Sequence, residues 1–469
     1  MLSAHCLEGT SLIADPIYQY IVMTDKCEGG GVTERDLIDT VWLQRLRRIY
    51  QLQSARWVFP SAEHSRFQHS LGTMYIAGEF AQHLYPFLER VFQHQIPSRF
   101  YVEELLRLAG LLHDVGHGPF CHFFDEHVLS GLSLTHEDVS QKIMVEELAG
   151  MLKGIRRSPH GMFEDGEELD PSELAFLIKK PDRTSRDFPL WLQHLQHLFR
   201  GIFTVDNIDY VLRDSYMTGV AVGPVDWKRM LHYTLYHPDG LALDKRGASA
   251  LSMFLNARLY LYTNVYYHRT TRSIDLQLAE IFSRTIQILF PHNPVEDLSG
   301  YCNLTDWSLI EGVRGWHSSS DPEKRELAKL WDDIMVRRLK WRSAYETIFT
   351  IKDLEIGRAG FVQKEGIERK IRECLPAEAK GIEFHVDMAL HDPRPLNPLH
   401  AEDSPLLIYD PASKEVSREP LEELFMYIPA KVAVCRVYGS ERSYNKLLME
   451  AATRTLGSSD HLGSYPTNI

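Results

Sequence analysis

The sequence predicts a mainly α-helical fold with a small C-terminal α+β lobe and one short β-hairpin. Three observations carry that prediction. Apolar residues recur at three- and four-residue spacing through most of the first 360 positions, strand-like alternating runs gather beyond about 380, and a PDG turn at 238–240 separates two short alternating segments. The 469 residues have room for about three ordinary domains or one large lobed one, enough for a substantial core. Hydrophobic residues at 44% and charged residues at 25% are ordinary globular values, which excludes extensive disorder. Lys+Arg at 51 against Asp+Glu at 64 leaves a net charge of −13. That balance disfavours unspecific coating of nucleic acid or of an anionic membrane, so an anionic ligand must meet a local basic pocket.

In chain order, 37–53 and 101–114 read as amphipathic helices, and 155–190 as a polar, Pro/Gly/Asp-rich surface insertion with a short helix. A hairpin is predicted over 232–244 and a long helical stretch over 247–291. IEFHVDMAL, PLLIYD and AKVAVCRVYG read as strands of the C-terminal lobe, and the last dozen residues as a loose tail. No run reaches the ~18–20 apolar residues that cross a bilayer, and the N-terminus lacks a basic segment followed by an apolar one. The expectation is a cytoplasmic protein with no membrane partner. Six cysteines (Cys6, Cys27, Cys121, Cys302, Cys374, Cys435) form no CxxC pair, which fits reduced thiols. The 22 histidines direct attention to metal ligation or acid–base chemistry.

The informative stretch is 64–136, with HSRFQHSLG, LLHDVGHGPFCHFFDEH and THEDVS. His113 and Asp114 end an apolar helix, and His117 follows one turn later. Neighbouring His and Asp can hold one divalent ion from a single helical turn, and a catalytic site keeps a position open for water. His69 in RFQHSLG and Asp206 in VDNIDYVLRD are candidates to complete the set. Alone, each fragment also fits a surface or capping role: His136 follows Thr135, a good N-cap, and Leu52 and Tyr210 fit plain helical core positions.

The ordered blocks RFxHSLG, LLHDxGHGPFxH, THE and VDxxDYxxRD together resemble the HD-domain superfamily of metal-dependent phosphohydrolases. The resemblance is nearer to its deoxynucleoside triphosphate triphosphohydrolase branch and covers about residues 10–450, without the sterile-alpha-motif domain of the vertebrate members. It implies an HD helical core and His69, His113, Asp114 and Asp206 as ligands of one divalent transition ion, with Fe, Mn, Zn, Ni and Co not distinguished. There is no HH dipeptide of the kind two-metal members use, so Mg²⁺ is expected only with the substrate phosphates. The implied acid–base group is His117, His122, Asp125 and His136, with His122 the proton donor oriented through Asp125 and His136. Arg66 and Arg258 match triphosphate contacts, Gln51, Leu52, Tyr210 and Asp214 match the deoxyribose pocket, and Tyr266 stacks near the base. Asn207 stands where near relatives carry a phosphate-binding lysine, a lost charge for which Arg269 is a candidate replacement.

Asp39, Gln44 and Arg47 match half of a regulatory nucleotide site whose other half falls on Ser11 and Ala14, so an activating nucleotide is half supported; the same three residues also fit an ordinary amphipathic helix. The implied organisation is an N-terminal segment and first helix (1–50), the metal-binding catalytic core (51–225), and the hairpin and long helices completing the active site and oligomer interface (226–375). An α+β lobe (376–455) and the tail (456–469) follow. The implied reaction is hydrolysis of a dNTP to deoxynucleoside and inorganic triphosphate, by metal-bound water at the α-phosphorus, in a homo-oligomer. Another HD phosphohydrolase, acting as nucleotidase or phosphodiesterase, and a non-catalytic nucleotide- or nucleic-acid-binding HD protein stay open as alternatives.

Overall fold

The computed structural model describes residues 9–26, 30–179, 187–351, 364–391, 406–417 and 431–457. Two long helices form its backbone, Arg66–Phe92 and Arg99–Leu112, lying against each other with Val205–Thr218 across the first. In Arg99–Leu112, Leu105, Leu106, Leu108, Leu111 and Leu112 are all fully buried. Each such leucine contributes about 1.5–3 kcal/mol of transfer free energy, which is why a helix also carrying Glu103, Glu104 and Arg107 is buried on every side. It ends at His113, where three glycine- and proline-marked residues, Gly116, Gly118 and Pro119, turn the chain.

The helical expectation over 37–53 resolves into short pieces, Glu34–Ile38 and Val41–Arg45, followed by single turns. Thr40 interrupts it by accepting a bond from the Leu43 backbone N–H, an N-cap that starts a new helix. The stretch 247–291 is likewise three helices, Ala248–Leu261, Arg269–Ala279 and Phe282–Leu289. A π-turn at Tyr262–Tyr266 ends the first, and the His268 side chain caps the second. The 155–190 segment has the expected exposed stretch over 160–168 and a short helix, Pro171–Ile178, but that helix packs inward, with Leu174, Phe176, Leu177 and Ile178 in the core; 180–186 lie outside the described residues.

The predicted hairpin is present as Thr234–His237 and Gly240–Asp244, paired antiparallel. PLLIYD does form a strand, Leu407–Asp410, yet it runs parallel to Gly240–Asp244 and extends the hairpin sheet instead of the C-terminal one. The C-terminal sheet is built from Phe384–His391, Lys431–Gly439 and a strand that went unread, Arg342–Ile351, whose non-alternating sequence RSAYETIFTI sits within the region expected to be helical. Helices Lys364–Cys374 and Asn445–Leu456 cover it and give the lobe a core of its own around Tyr345, Ile371, Val437 and Leu448. A second hairpin, this one unread in the sequence, pairs Thr10–Asp15 with Gln19–Thr24 near the start of the described chain. Of the expected tail only Leu456 and Gly457 lie among the described residues.

Candidate metal centre and cleft

Three separate helices deliver the four expected ligands to one point. His69 lies one turn into Arg66–Phe92, His113 and Asp114 follow Arg99–Leu112, and Asp206 opens Val205–Thr218. His69 Nε2 is 3.0 Å from Asp206 Oδ1 and 3.6 Å from Asp114 Oδ2, and His113 Nε2 is 3.3 Å from Asp114 Oδ1 and 3.8 Å from Asp206 Oδ1. Both Nε2 atoms are buried without a hydrogen-bond partner. Two orphaned imidazole nitrogens facing two carboxylates fit a divalent ion, because they are lone pairs awaiting a Lewis acid. Burial alone would lower the His69 pKa, but the Asp206 carboxylate close to Nε2 and the Asp209 carboxylate bonded to Nδ1 outweigh that and push it up to about 10. Asp114 goes well below the usual carboxylate range: burial opposes this, and the Arg66 guanidinium with His113 and His117 outweighs it. The pocket therefore attracts positive charge, which a proton or a metal can supply.

The ligands are held from behind. His69 Nδ1 donates to Asp209 at 2.7 Å, leaving Nε2 toward the centre, and Asp209 also accepts from Tyr18 Oη at 2.7 Å and from Arg213 at 2.9 and 3.0 Å. Arg213 in turn donates to Asp15 at 2.8 Å, so the turn of the N-terminal hairpin braces His69 through Asp209. This contact needs Gly72: a Cβ there would fall 1.8 Å from Asp209 Oδ1. Arg66 donates to Asp114 at 2.6 Å and to the Cys121 thiol at 3.0 Å. Asp15, Tyr18, Asp209 and Arg213 were not picked out from sequence. The Asp209/Arg213 spacing of four inside VDNIDYVLRD was the available signal.

Beside the centre sits the second group, His117, His122, Asp125 and His136, whose donor atoms lie within 4.8 Å of one another. His117 and His136 stack face to face at 3.8 Å and 17°. In-plane lone pairs on stacked rings run side by side and do not converge, so this arrangement suits proton handling better than a second ion. Asp125 Oδ2 accepts from His136 Nδ1 at 2.5 Å and lies 3.3 Å from His122 Nδ1, and these bonds hold its pKa well below the usual range despite burial. His136 is raised by that bond and by the Asp125 charge, against burial, whereas burial and the Arg66 and His136 charges keep His117 well below its usual value. The His122 side chain is the most exposed of the three, at 64% against 17% for His136 and 0% for His117. Its loop is strained, with Phe120 at φ 61° and Cys121 at φ 52°. Asp306 secures that strain by accepting from the Phe120 N–H at 2.7 Å, and Arg45 donates to the His117 carbonyl at 2.6 Å. Asp306 also takes the Tyr50 N–H at 2.9 Å, tying both loops to one carboxyl.

These groups open on a cleft of about 400 Å³, within the range of small-molecule sites. Gln51, Leu52, Arg66, Tyr210, Asp214 and Tyr266 line it, as do His122, His136 and Asn207. Asp214 is fixed by His64 Nε2 at 2.8 Å and Tyr266 Oη at 2.5 Å, and His64 was another residue the sequence reading passed over. Arg258 and Arg269 are not among the lining residues; Arg258 is buried and donates to the Ile202 carbonyl at 3.3 Å. Asn207 brings no charge, its backbone N–H bonding Thr204 within the helix cap. The expected regulatory trio lies apart from the cleft. Arg47 donates to Gln44 and stacks 3.7 Å from the Phe67 ring, while Arg35 links Asp39 to Asp25, which also accepts from Ser11.

A helical core that gathers His69, His113 and Asp114 into a group that could hold a metal ion, with Asp206 3.0 Å from His69 and a His–Asp cluster alongside in an open cleft, is the arrangement of an HD-type protein. The chain carries an HD domain, matched over residues 66–187, followed by an HD associated region, matched over residues 225–383. It is similar to the uncharacterized protein YwfO of Bacillus subtilis, 28% identical over 69% of this chain and 70% of that one. It is also similar to the deoxynucleoside triphosphate triphosphohydrolase SAMHD1 homolog of Dictyostelium discoideum, 31% identical over 65% of this chain and 55% of that protein. The chain thus spans about half the length of the Dictyostelium relative. In fold it matches the crystal structure of a hypothetical protein from Aquifex aeolicus over 94% of this chain and 99% of that one, with a TM-score of 0.68 and 23% identity. Among the described residues no helix is long and apolar enough to cross a membrane, and Cys121, Cys302, Cys374 and Cys435 are free thiols.

Proposed function

We propose that this protein is a metal-dependent dNTP triphosphohydrolase, cleaving a dNTP to deoxynucleoside and inorganic triphosphate. The observation that carries the reading is the convergence, on one cleft, of the metal quartet, the His122–Asp125–His136 group and the Asp214–Tyr266 pair. His69, His113, Asp114 and Asp206 would hold the divalent ion, which supplies a water of lowered pKa and charge neutralisation at phosphate. Arg66, locked on Asp114, places a positive charge at the phosphate end. His122 gives a proton to the departing 5′-oxygen of the nucleoside, and Asp125 and His136 orient it and restore the proton. Asp214, held by His64 and Tyr266, offers its carboxylate to a sugar 3′-hydroxyl, and the packing of Tyr210 against Tyr266 at 6.5 Å narrows the space for a 2′-hydroxyl.

The test is product analysis of dNTPs incubated with metal-loaded protein, with and without GTP. Inorganic triphosphate is the expected product, and release of pyrophosphate or orthophosphate in its place would overturn the assignment. His113→Ala should lose metal and activity together, whereas His122→Ala should keep the metal and lose rate by about 10²–10⁴-fold. A homo-oligomer, Mg²⁺ on the phosphates and nucleotide activation through Asp39, Gln44 and Arg47 belong to the same proposal, and mass measurement with and without GTP addresses them.

A further inference from the structure

The cleft also has a polar wall with no role so far. The helix Arg269–Ala279 turns one face into it, with Thr271, Arg272 and Asp275 among the lining residues. Ser54, two positions beyond Leu52 on the facing wall, donates its hydroxyl to Asp275. The Ser54–Asp275 bond thus joins the segment that carries Gln51 and Leu52 to the helix that follows Tyr266, and all of these residues line the one cleft. Arg272 is held in place from a third direction: its Nε and one terminal nitrogen form a paired contact with Asp387 of the strand Phe384–His391, at 3.0 and 2.6 Å. Its other terminal nitrogen makes only a 3.5 Å contact with Asp275. The Thr271 hydroxyl is buried with no hydrogen-bond partner. A rigid donor beside a rigid acceptor, at the end of a cleft and incompletely used by the protein, is the complement of a planar edge carrying both an acceptor and an N–H.

We infer that Arg272 and Asp275 form the base-reading end of this cleft, Arg272 donating to an acceptor on the polar edge of a nucleobase and Asp275 accepting from an adjacent N–H. The inference rests on the proposed dNTP hydrolysis and adds to it a source of discrimination among bases. Asp387 is then a positioning residue: it touches no substrate and aims the guanidinium. Burial pushes the Asp275 carboxyl up to about 6, with Arg272 and Ser54 acting against it, so at neutral pH the ionised, accepting form still predominates.

The experiment compares kcat/KM for the four dNTPs and for purine 2′-deoxyriboside triphosphate, which lacks the 6-amino group of dATP, in the wild-type protein and in Asp275→Asn. The wild type should separate dATP from the purine analogue by about tenfold, and the variant should shrink that ratio and reorder the four dNTPs. A structural role would lower every substrate together and leave the ratios in place, and that result overturns the inference. If the wild type releases triphosphate from none of the five, the proposed function itself has failed. Should Asp275→Asn not fold by circular dichroism, Asp275→Glu, which keeps the charge but moves it by one methylene, carries the same comparison.

Discussion

Replacing Asp209 by asparagine tests how far the metal centre depends on residues that never touch the ion. The carboxylate accepts four bonds, from His69 Nδ1, Tyr18 Oη and two Arg213 nitrogens, at 2.7 to 3.0 Å. An amide offers one oxygen for these donors and points an NH₂ at the others, so His69 loses its charged acceptor and its fixed ring orientation. Partners of this kind contribute about 10–100-fold to metal affinity, or about 1.4–2.7 kcal/mol. Folding stability should fall too, by about 2 kcal/mol, and not by the larger cost of orphaning a buried charge, because Arg213 keeps Asp15 at 2.8 Å. Titrating Zn²⁺ or Mn²⁺ into apoprotein against a competing chelator reads the affinity, and thermal unfolding of the apoprotein reads the stability. A folded variant with unchanged metal affinity would refute the view that the hairpin turn and Val205–Thr218 position His69.

Gly72→Ala should act on the same contact from the other side, since the new Cβ would lie 1.8 Å from Asp209 and 2.4 Å from an Arg213 nitrogen. A loss of about 1–3 kcal/mol in urea unfolding, with lower metal content, is expected. The buried Asp306 has its pKa raised to about 6 by burial, against the bonds from Tyr50 and Phe120. A carboxyl that binds its proton more tightly folded than unfolded lowers stability as pH rises from about 4 to about 6, by up to about 3 kcal/mol, with no further change above. The stability advantage of wild type over Asp306→Asn, followed by denaturant titration, should shrink across that window and a flat difference would contradict it. Tyr266→Phe removes one of the two donors holding Asp214 and should raise KM for a dNTP by about tenfold with little change in kcat, measured by steady-state kinetics.

What could be read from the sequence was whatever has local period or fixed motif spacing. The Arg99–Leu112 helix and the Thr234–Asp244 hairpin announce themselves through apolar spacing and a PDG turn. His113 and Asp114 stand out because they end that helix together. Asp206 and Asp214 are brought to the cleft by one helix, and both lay in the same quoted motif. The residues that escaped are partners across long separations. Tyr18 meets Asp209 191 positions away, and Asp306 meets Phe120 186 positions away. Such contacts leave no periodic trace in one chain. The Arg342–Ile351 strand was missed because its polar and apolar residues come in pairs, RS, AY, ET and IF, and do not alternate, so its pairing with Lys431–Gly439 is what makes it a strand.

The parallel pairing of Ala242–Asp244 with Leu407–Tyr409 has a consequence for how the chain is made. While the ribosome is still adding residues beyond 380, the hairpin stands with an unsatisfied backbone edge, and only a segment emerging more than 160 positions later closes it. The nascent protein therefore carries an open strand edge late into synthesis, a natural landing place for a chaperone and a weak point for misassembly at high expression.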